Sequence, residues 1–213
     1  DRRATNDARV DRGDDDGGRV LAIAAEDYAN FGDGLCSASV LFGRPDFKHQ
    51  CDGFREESLW LLGAEAWPIF DSLIAQRPAE LSRAFEDACY FVQRSGWDSR
   101  DTHIIFDCGG LGQGSGCHGH ADALSFTVFS GGREILIDPG TSVYNCAPQW
   151  RRFFRSTAAH NTVVVDDTGQ SEPGDTFRWK TKAPCRLRNH IDLAEVDYVD
   201  GAVTFPEIQT AHR

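Results

Sequence analysis

The 213-residue sequence predicts an α+β chain in which a helical segment precedes an antiparallel β domain. Three observations carry this. Apolar residues recur at helical spacing through about residue 84. From Ala88 onward the apolar runs become short, β-branched and aromatic, with Gly, Asp, Asn or Pro between them. Two of those runs are joined only by Ser130-Gly131-Gly132, which is too short for the helical crossover that parallel strands require.

Taken in order, Val20 to Phe31 (VLAIAAEDYANF) and Arg55 to Trp67 (REESLWLLGAEAW) read as helices, and Pro68 with Asp71 opens another through IFDSLIAQ. The texture changes near residues 78 to 87, so 1–84 is expected to form the helical segment and 85–213 the β domain. Strands are expected in CYFVQRSGW, THIIFDCGG, LSFTVFSGGREILIDPG, NTVVVDD and HIDLAEVDYVDGAVTF. The chain begins in a helical region without an evident cap and stops at TAHR before a sheet would close, so both ends are expected to be truncated.

Composition narrows the function. A formal net charge of −11 argues against non-specific nucleic-acid binding, which depends on Lys and Arg neutralising phosphates, so an anionic partner must meet a local basic patch. No apolar run approaches the roughly 18 to 20 residues that span a bilayer, and DRRATNDARVDRGDDDGG is too polar for a signal peptide; no membrane insertion is expected. Seven cysteines, an odd number without a C-x-x-C pair, fit free thiols better than a disulfide framework or a thiolate zinc site. GDDDGGR lacks the ligand spacing of an EF-hand loop and reads as a solvated acidic loop.

The densest chemistry lies in GCHGHADALSF, Gly116 to Phe126. In an extended strand His118, His120 and Asp122 would project to the same face. Asp138 leaves the apolar run ILIDPG and His160 enters NTVVVD; with His120 they make two imidazoles and a carboxylate, a common zinc set with room for a fourth ligand. A structural role for each histidine stays open. His120, Asp122 and His160 also fit the H-x-D…H triad of Fe(II) oxygenases. That reading needs Asp122 on the metal instead of Asp138, and it finds Gln170 where an oxoacid-binding Arg is usual. In QWRRFFRST, Arg151, Arg152 and Arg155 lie among Trp150, Phe153 and Phe154 with no acidic neighbour. Guanidinium groups that clamp carboxylates, interleaved with rings that stack on sugars, suit a carboxylated or sulfated glycan. An ordinary amphipathic turn with surface ion pairs is the alternative.

Together, CHGHADALSFTVFSGGREILIDPGTSVYN, WRRFFRSTAAHNTVVVDDTGQSEP and AFEDACYFVQRSGW resemble the heparinase II/III-like family of polysaccharide lyases, and GDDDGGRVL, SVLFGRPDF and EESLWLLG resemble the tail of its helical part. The likeness covers most of residues 12 to 175. It implies the end of an (α/α) toroid followed by an antiparallel β-sandwich, with a substrate cleft between them. It implies a catalytic His118, a mainly structural zinc on His120, Asp138 and His160, and Tyr144 as the match for a tyrosine that follows D-P-G. The family's catalytic tyrosine and its Asn or His partner belong to toroid helices that would precede residue 12. The implied activity is β-elimination on an anionic, uronic-acid-containing polysaccharide in the periplasm or outside the cell. The rival expectation is a zinc-stabilised carbohydrate-binding fragment without turnover.

Overall fold

A computed structural model describes Asp14 and residues 31–51, 53–112, 114–193, 195–208 and 210–212. The helix expected from Val20 lies outside the described residues except for Phe31. Four short helices follow: α1 (Gly32–Phe42), α2 (Pro45–His49), α3 (Glu56–Leu62) and α4 (Ala66–Ser72). Helix α1 escapes an apolar-periodicity search because its buried face is Gly32, Asp33, Cys36 and Ser39. Small polar side chains there let α3 approach, and the Ser37 and Ser58 hydroxyls meet at 2.9 Å. The single helix expected over Arg55–Trp67 is two, broken at Gly63, and Pro68 sits in the first turn of α4, where its missing N–H costs no helical hydrogen bond. The further helix expected through Gln76 ends at Ser72.

Five antiparallel strands form one sheet in chain order: β1 (Arg83–Phe85), β2 (Tyr90–Arg94), β3 (His103–Asp107), β4 (Phe126–Ser130) and β5 (Arg133–Leu136). The β4–β5 turn uses Gly131 and Gly132 at φ 62° and 82°, left-handed values that fit a two-residue hairpin and that glycine adopts without strain. A second antiparallel sheet contains β6 (Cys185–Leu193), β7 (Val196–Phe205) and β8 (Thr210–His212). Phe91 of the first sheet and Val203 and Phe205 of the second share one apolar cluster with Cys108 and Leu124. Burying each of these large side chains contributes roughly 1.5–3 kcal/mol.

NTVVVDD is not a strand. Among the described residues it makes only the bridge Val165↔Thr168, and Asp166 and Asp167 turn at φ 49° and 59°. Val163 and Val164 remain 39 % and 37 % exposed, so neither sheet recruits them. Helix α5 (Pro148–Phe154) and a 3-10 turn (Thr157–Ala159) precede this segment.

Sheet register explains why distant residues meet. Phe106 pairs with Phe126 and Val128 with Leu136, so the β3–β4 connection and the exit of β5 lie at the same end of the sheet. The first carries His118 and His120; the second leads to Asp138 and Thr141. Among the described residues no helix is long and apolar enough to cross a membrane, and the cysteines form no disulfide.

Candidate metal centre and active site

The stretch from Gly116 to Ser125 is a series of turns, not the extended strand the alternating residues suggest. Gly116 turns at φ 64°, and a Cβ on Gly116 or Gly119 would come within 2.5 or 2.6 Å of the Leu111 carbonyl oxygen. Glycine is therefore required by close backbone approach. These turns separate the two histidines: the His118 side chain is 51 % exposed, while that of His120 is fully buried. The N–H of Ala121 donates to the carbonyl of Arg155 at 2.9 Å, seating the loop on the end of α5.

His120, Asp138 and His160 converge. One ligand atom from each lies within 4.8 Å of the other two, and the His120 and His160 rings are 5.3 Å apart. Asp138 sits just past β5, where its Oδ1 accepts the Gly140 N–H at 2.8 Å and its Oδ2 lies 3.3 Å from Nδ1 of His160. His160 follows the 3-10 turn; it does not open a strand. Asn161 beside it donates to the carbonyls of Ile137 (2.7 Å) and Phe126 (3.1 Å), tying the segment to the ends of β5 and β4. Thr162 donates to the Ala123 carbonyl at 2.8 Å. Asp122 is buried near His160 but stands outside the three-residue cluster, whose carboxylate is Asp138, and Gln170 is buried with its amide donating to Ala123.

The ring nitrogens are divided in a way that suits a cation. Nε2–H of His160 donates to the carbonyl of Phe154 at 3.1 Å, and Nε2–H of His120 to Oδ1 of Asp14 at 3.0 Å. Both Nδ1 atoms are buried and lack a hydrogen-bond partner among the described residues. A buried imidazole nitrogen left without a donor or acceptor is costly unless it ligates, and a ligating histidine commonly anchors its other nitrogen to a carboxylate or carbonyl. The residues thus fit a zinc-sized ion of tetrahedral preference. Burial lowers the His120 pKa more than Asp14 raises it. Burial also acts to lower that of His160, but the adjacent carboxylates of Asp138 and Asp122 prevail and raise it.

Asp14, expected in a solvated loop, is the residue that sequence reasoning missed. Its side chain is fully buried; Arg151 donates to both its oxygens, at 2.6 Å for Nη2 to Oδ2, and Thr141 donates to Oδ1. Nδ1–H of His118 donates to Oδ2 at 3.2 Å, and the Asp14 N–H donates to the His118 carbonyl at 3.0 Å. Burial would raise the carboxyl pKa, but hydrogen bonds from His120, Arg151 and Thr141 outweigh it and hold the group well below the usual carboxylate range.

This changes the reading of the arginines. Arg151 and Arg155 are buried, at 2 % and 1 % exposure. Arg155 donates to the carbonyls of Asp175 and Thr176 and lies 4.4 Å from the Trp179 ring; burial, then the neighbouring Arg151, pushes its pKa down to about 10. Neither guanidinium is presented to solvent as a substrate clamp, and of the three only Arg152 is exposed. Tyr144 stacks on Phe177 (5.8 Å, 26°), and the Phe177 ring lies 6.1 Å from His118. The Arg151 guanidinium stands 5.1 Å from the Tyr144 ring. A cleft of about 420 Å³, bounded by Tyr90, Asp107, the Gly109–Gly112 turn and His118, opens beside this group.

A family model described as heparinase II/III-like, C-terminal, matches residues 77–210. A heparin-sulfate lyase of Pedobacter heparinus is 29 % identical over 100 residues, covering 46 % of this chain and 15 % of that protein. Among solved structures, a heparan sulfate lyase from Pedobacter heparinus aligns over 82 % of this chain and 23 % of its own (TM-score 0.56, 20 % identity). A heparinase III structure aligns over 93 % and 27 % (TM-score 0.57, 18 % identity). The chain therefore spans less than a third of each of these relatives, and the structural likenesses concern the fold.

Proposed function

The chain belongs to the heparinase II/III-like family through its C-terminal domain, and from that premise we propose that it is the β-domain side of a polysaccharide lyase acting on uronic-acid-containing glycans by β-elimination. The two sheets are read as part of the family's β-sandwich and α1–α4 as the end of its helical toroid. The observation that carries the reading is the pairing of a buried three-residue cluster with an exposed histidine two residues away, at the mouth of a cleft.

Elimination at a uronate requires its carboxylate to be neutralised, the C5 proton removed and the leaving oxygen protonated. His118 is the chain's candidate for one of the first two tasks. Its Nδ1 is engaged by Asp14, so Nε2 is the nitrogen that would act on the sugar. Tyr144, braced against Phe177 and Arg151, is the candidate hydrogen-bond donor. His120, Asp138 and His160 would hold zinc, whose contribution is to fasten the β3–β4 loop, the exit of β5 and the segment after α5 to one another. Export to the periplasm or the cell exterior accords with a polymeric substrate.

Incubating the full-length protein with heparan sulfate and following the ultraviolet absorbance of unsaturated uronate tests the proposal. Turnover is expected and should vanish in His118→Ala. A second reading, carbohydrate binding without turnover, is favoured by Trp150 and Phe153, which are 53 % and 45 % exposed beside the exposed Arg152. Retention on a heparin gel with no absorbance change would select it.

A further inference from the structure

The two histidines of the Gly-Cys-His-Gly-His stretch differ in burial yet share one partner, the carboxylate of Asp14, which takes His118 on Oδ2 and His120 on Oδ1. That carboxylate is itself fixed by Arg151 and Thr141. It also grips the loop through its own main chain, by the hydrogen bond from its N–H to the His118 carbonyl.

We propose that Asp14 is a positioning residue: by accepting Nε2–H of His120 it turns the bare Nδ1 of that ring toward Asp138 and His160, and by accepting Nδ1–H of His118 it turns Nε2 of that ring outward. A single carboxylate, brought from more than 100 residues upstream, thereby sets the tautomer and the facing of both rings. The inference rests on the metal and lyase reading given above. A carboxylate can do this where an amide cannot. It offers acceptors on both oxygens, whereas an amide turns one of those positions into an N–H donor facing an imidazole N–H. Asp14 touches neither substrate nor metal in this account. It acts through the rings it orients.

The test uses the full chain with zinc as the probe. Chelator competition yields the zinc Kd of the wild type, Asp14→Asn and Asp14→Glu. Removing a carboxylate that orients a ligating histidine typically weakens metal affinity about 10- to 100-fold, and that loss is expected in Asp14→Asn with partial recovery in Asp14→Glu. An unchanged Kd in a folded Asp14→Asn overturns the proposal and leaves the metal reading standing. A wild-type chain that takes up no zinc overturns the metal reading and the proposal with it. If Asp14→Asn does not fold, the wild type decides alone. Long-range ¹H–¹⁵N correlations of the zinc-loaded chain should show His120 protonated at Nε2 and His118 protonated at Nδ1. Zinc on Nε2 of His120, or the opposite tautomer at His118, would overturn the assignment. A residue that merely stabilised the loop would alter melting temperature but neither tautomers nor Kd.

Discussion

His120 and His160 lie at the same depth, with ring centroids 5.3 Å apart, but they are held by different kinds of partner. The His160 side is local: its ring is anchored to Phe154 six residues away, and Asn161 and Thr162 pin the adjoining backbone to β4, β5 and the loop. The His120 side is assembled from afar, on Asp14 and, behind it, Arg151. One side follows once the sheet and α5 have folded. The other also needs an upstream residue to dock, so the two sides should respond differently to substitution.

Asp138→Ala should have the largest effect because it removes the carboxylate both sides share. Metal analysis of the purified variant is expected to show zinc content falling to near zero, with a lowered melting temperature, since metal binding energy contributes to folding. Zinc retained at the wild-type level would dissolve the cluster as a functional unit.

Arg151→Ala comes next and strikes the distant side alone. It leaves the buried Asp14 carboxylate without its guanidinium, a change that typically costs about 3–5 kcal/mol in a buried pair. Urea denaturation should show that loss, and the Asp14→Ala/Arg151→Ala double variant should lose less than the sum of the two single variants. Strict additivity would mean the two residues do not act together.

A buried histidine outside both sides calibrates what burial alone does. His103 stacks on Phe129 (4.9 Å, 10°), and burial, helped by the charge of Arg94, pushes its pKa down to about 4 from the ordinary 6.5. The folded state thus favours neutral His103. Above pH 6.5 its ring is neutral in both states and adds no pH dependence to stability. As pH falls from 6.5 toward 4, the unfolded chain takes up a proton that the native chain refuses, and stability drops by on the order of 2–3 kcal/mol. Denaturation midpoints of His103→Phe should lack this part of the pH dependence; parallel curves for wild type and variant would reject it.

The smallest stability effect is expected at His118, whose exposed ring gives up only its hydrogen bond to Asp14, about 1 kcal/mol, while the lyase activity proposed for the full-length protein is lost. A melting-temperature loss as large as that of Asp138→Ala would erase the distinction between the exposed and the buried histidine.

Much of this site can be read from the residues in order. The H-x-H pair, D-P-G and A-H-N-T each stand at a turn or strand end, and the short Ser130-Gly131-Gly132 connection already implies antiparallel neighbours, because the available backbone turns are few and local. Helix α1 was not readable, since its buried face of Gly, Asp, Cys and Ser carries no apolar period. NTVVVDD misled for the opposite reason: β-branched residues favour a strand only where a neighbouring strand is available to pair with them.

The sequence by itself determined the residue types, the order of the elements and the three blocks that supply His120, Asp138 and His160. Only the tertiary structure decided that Arg151 and Arg155 are buried while Arg152 is exposed, and that Asp14 leaves solvent to join two histidines. The physical reason is range. Turn and strand preferences act over a few residues, whereas the partner of a buried charge depends on which groups the fold brings within hydrogen-bonding distance, here across 137 residues of chain.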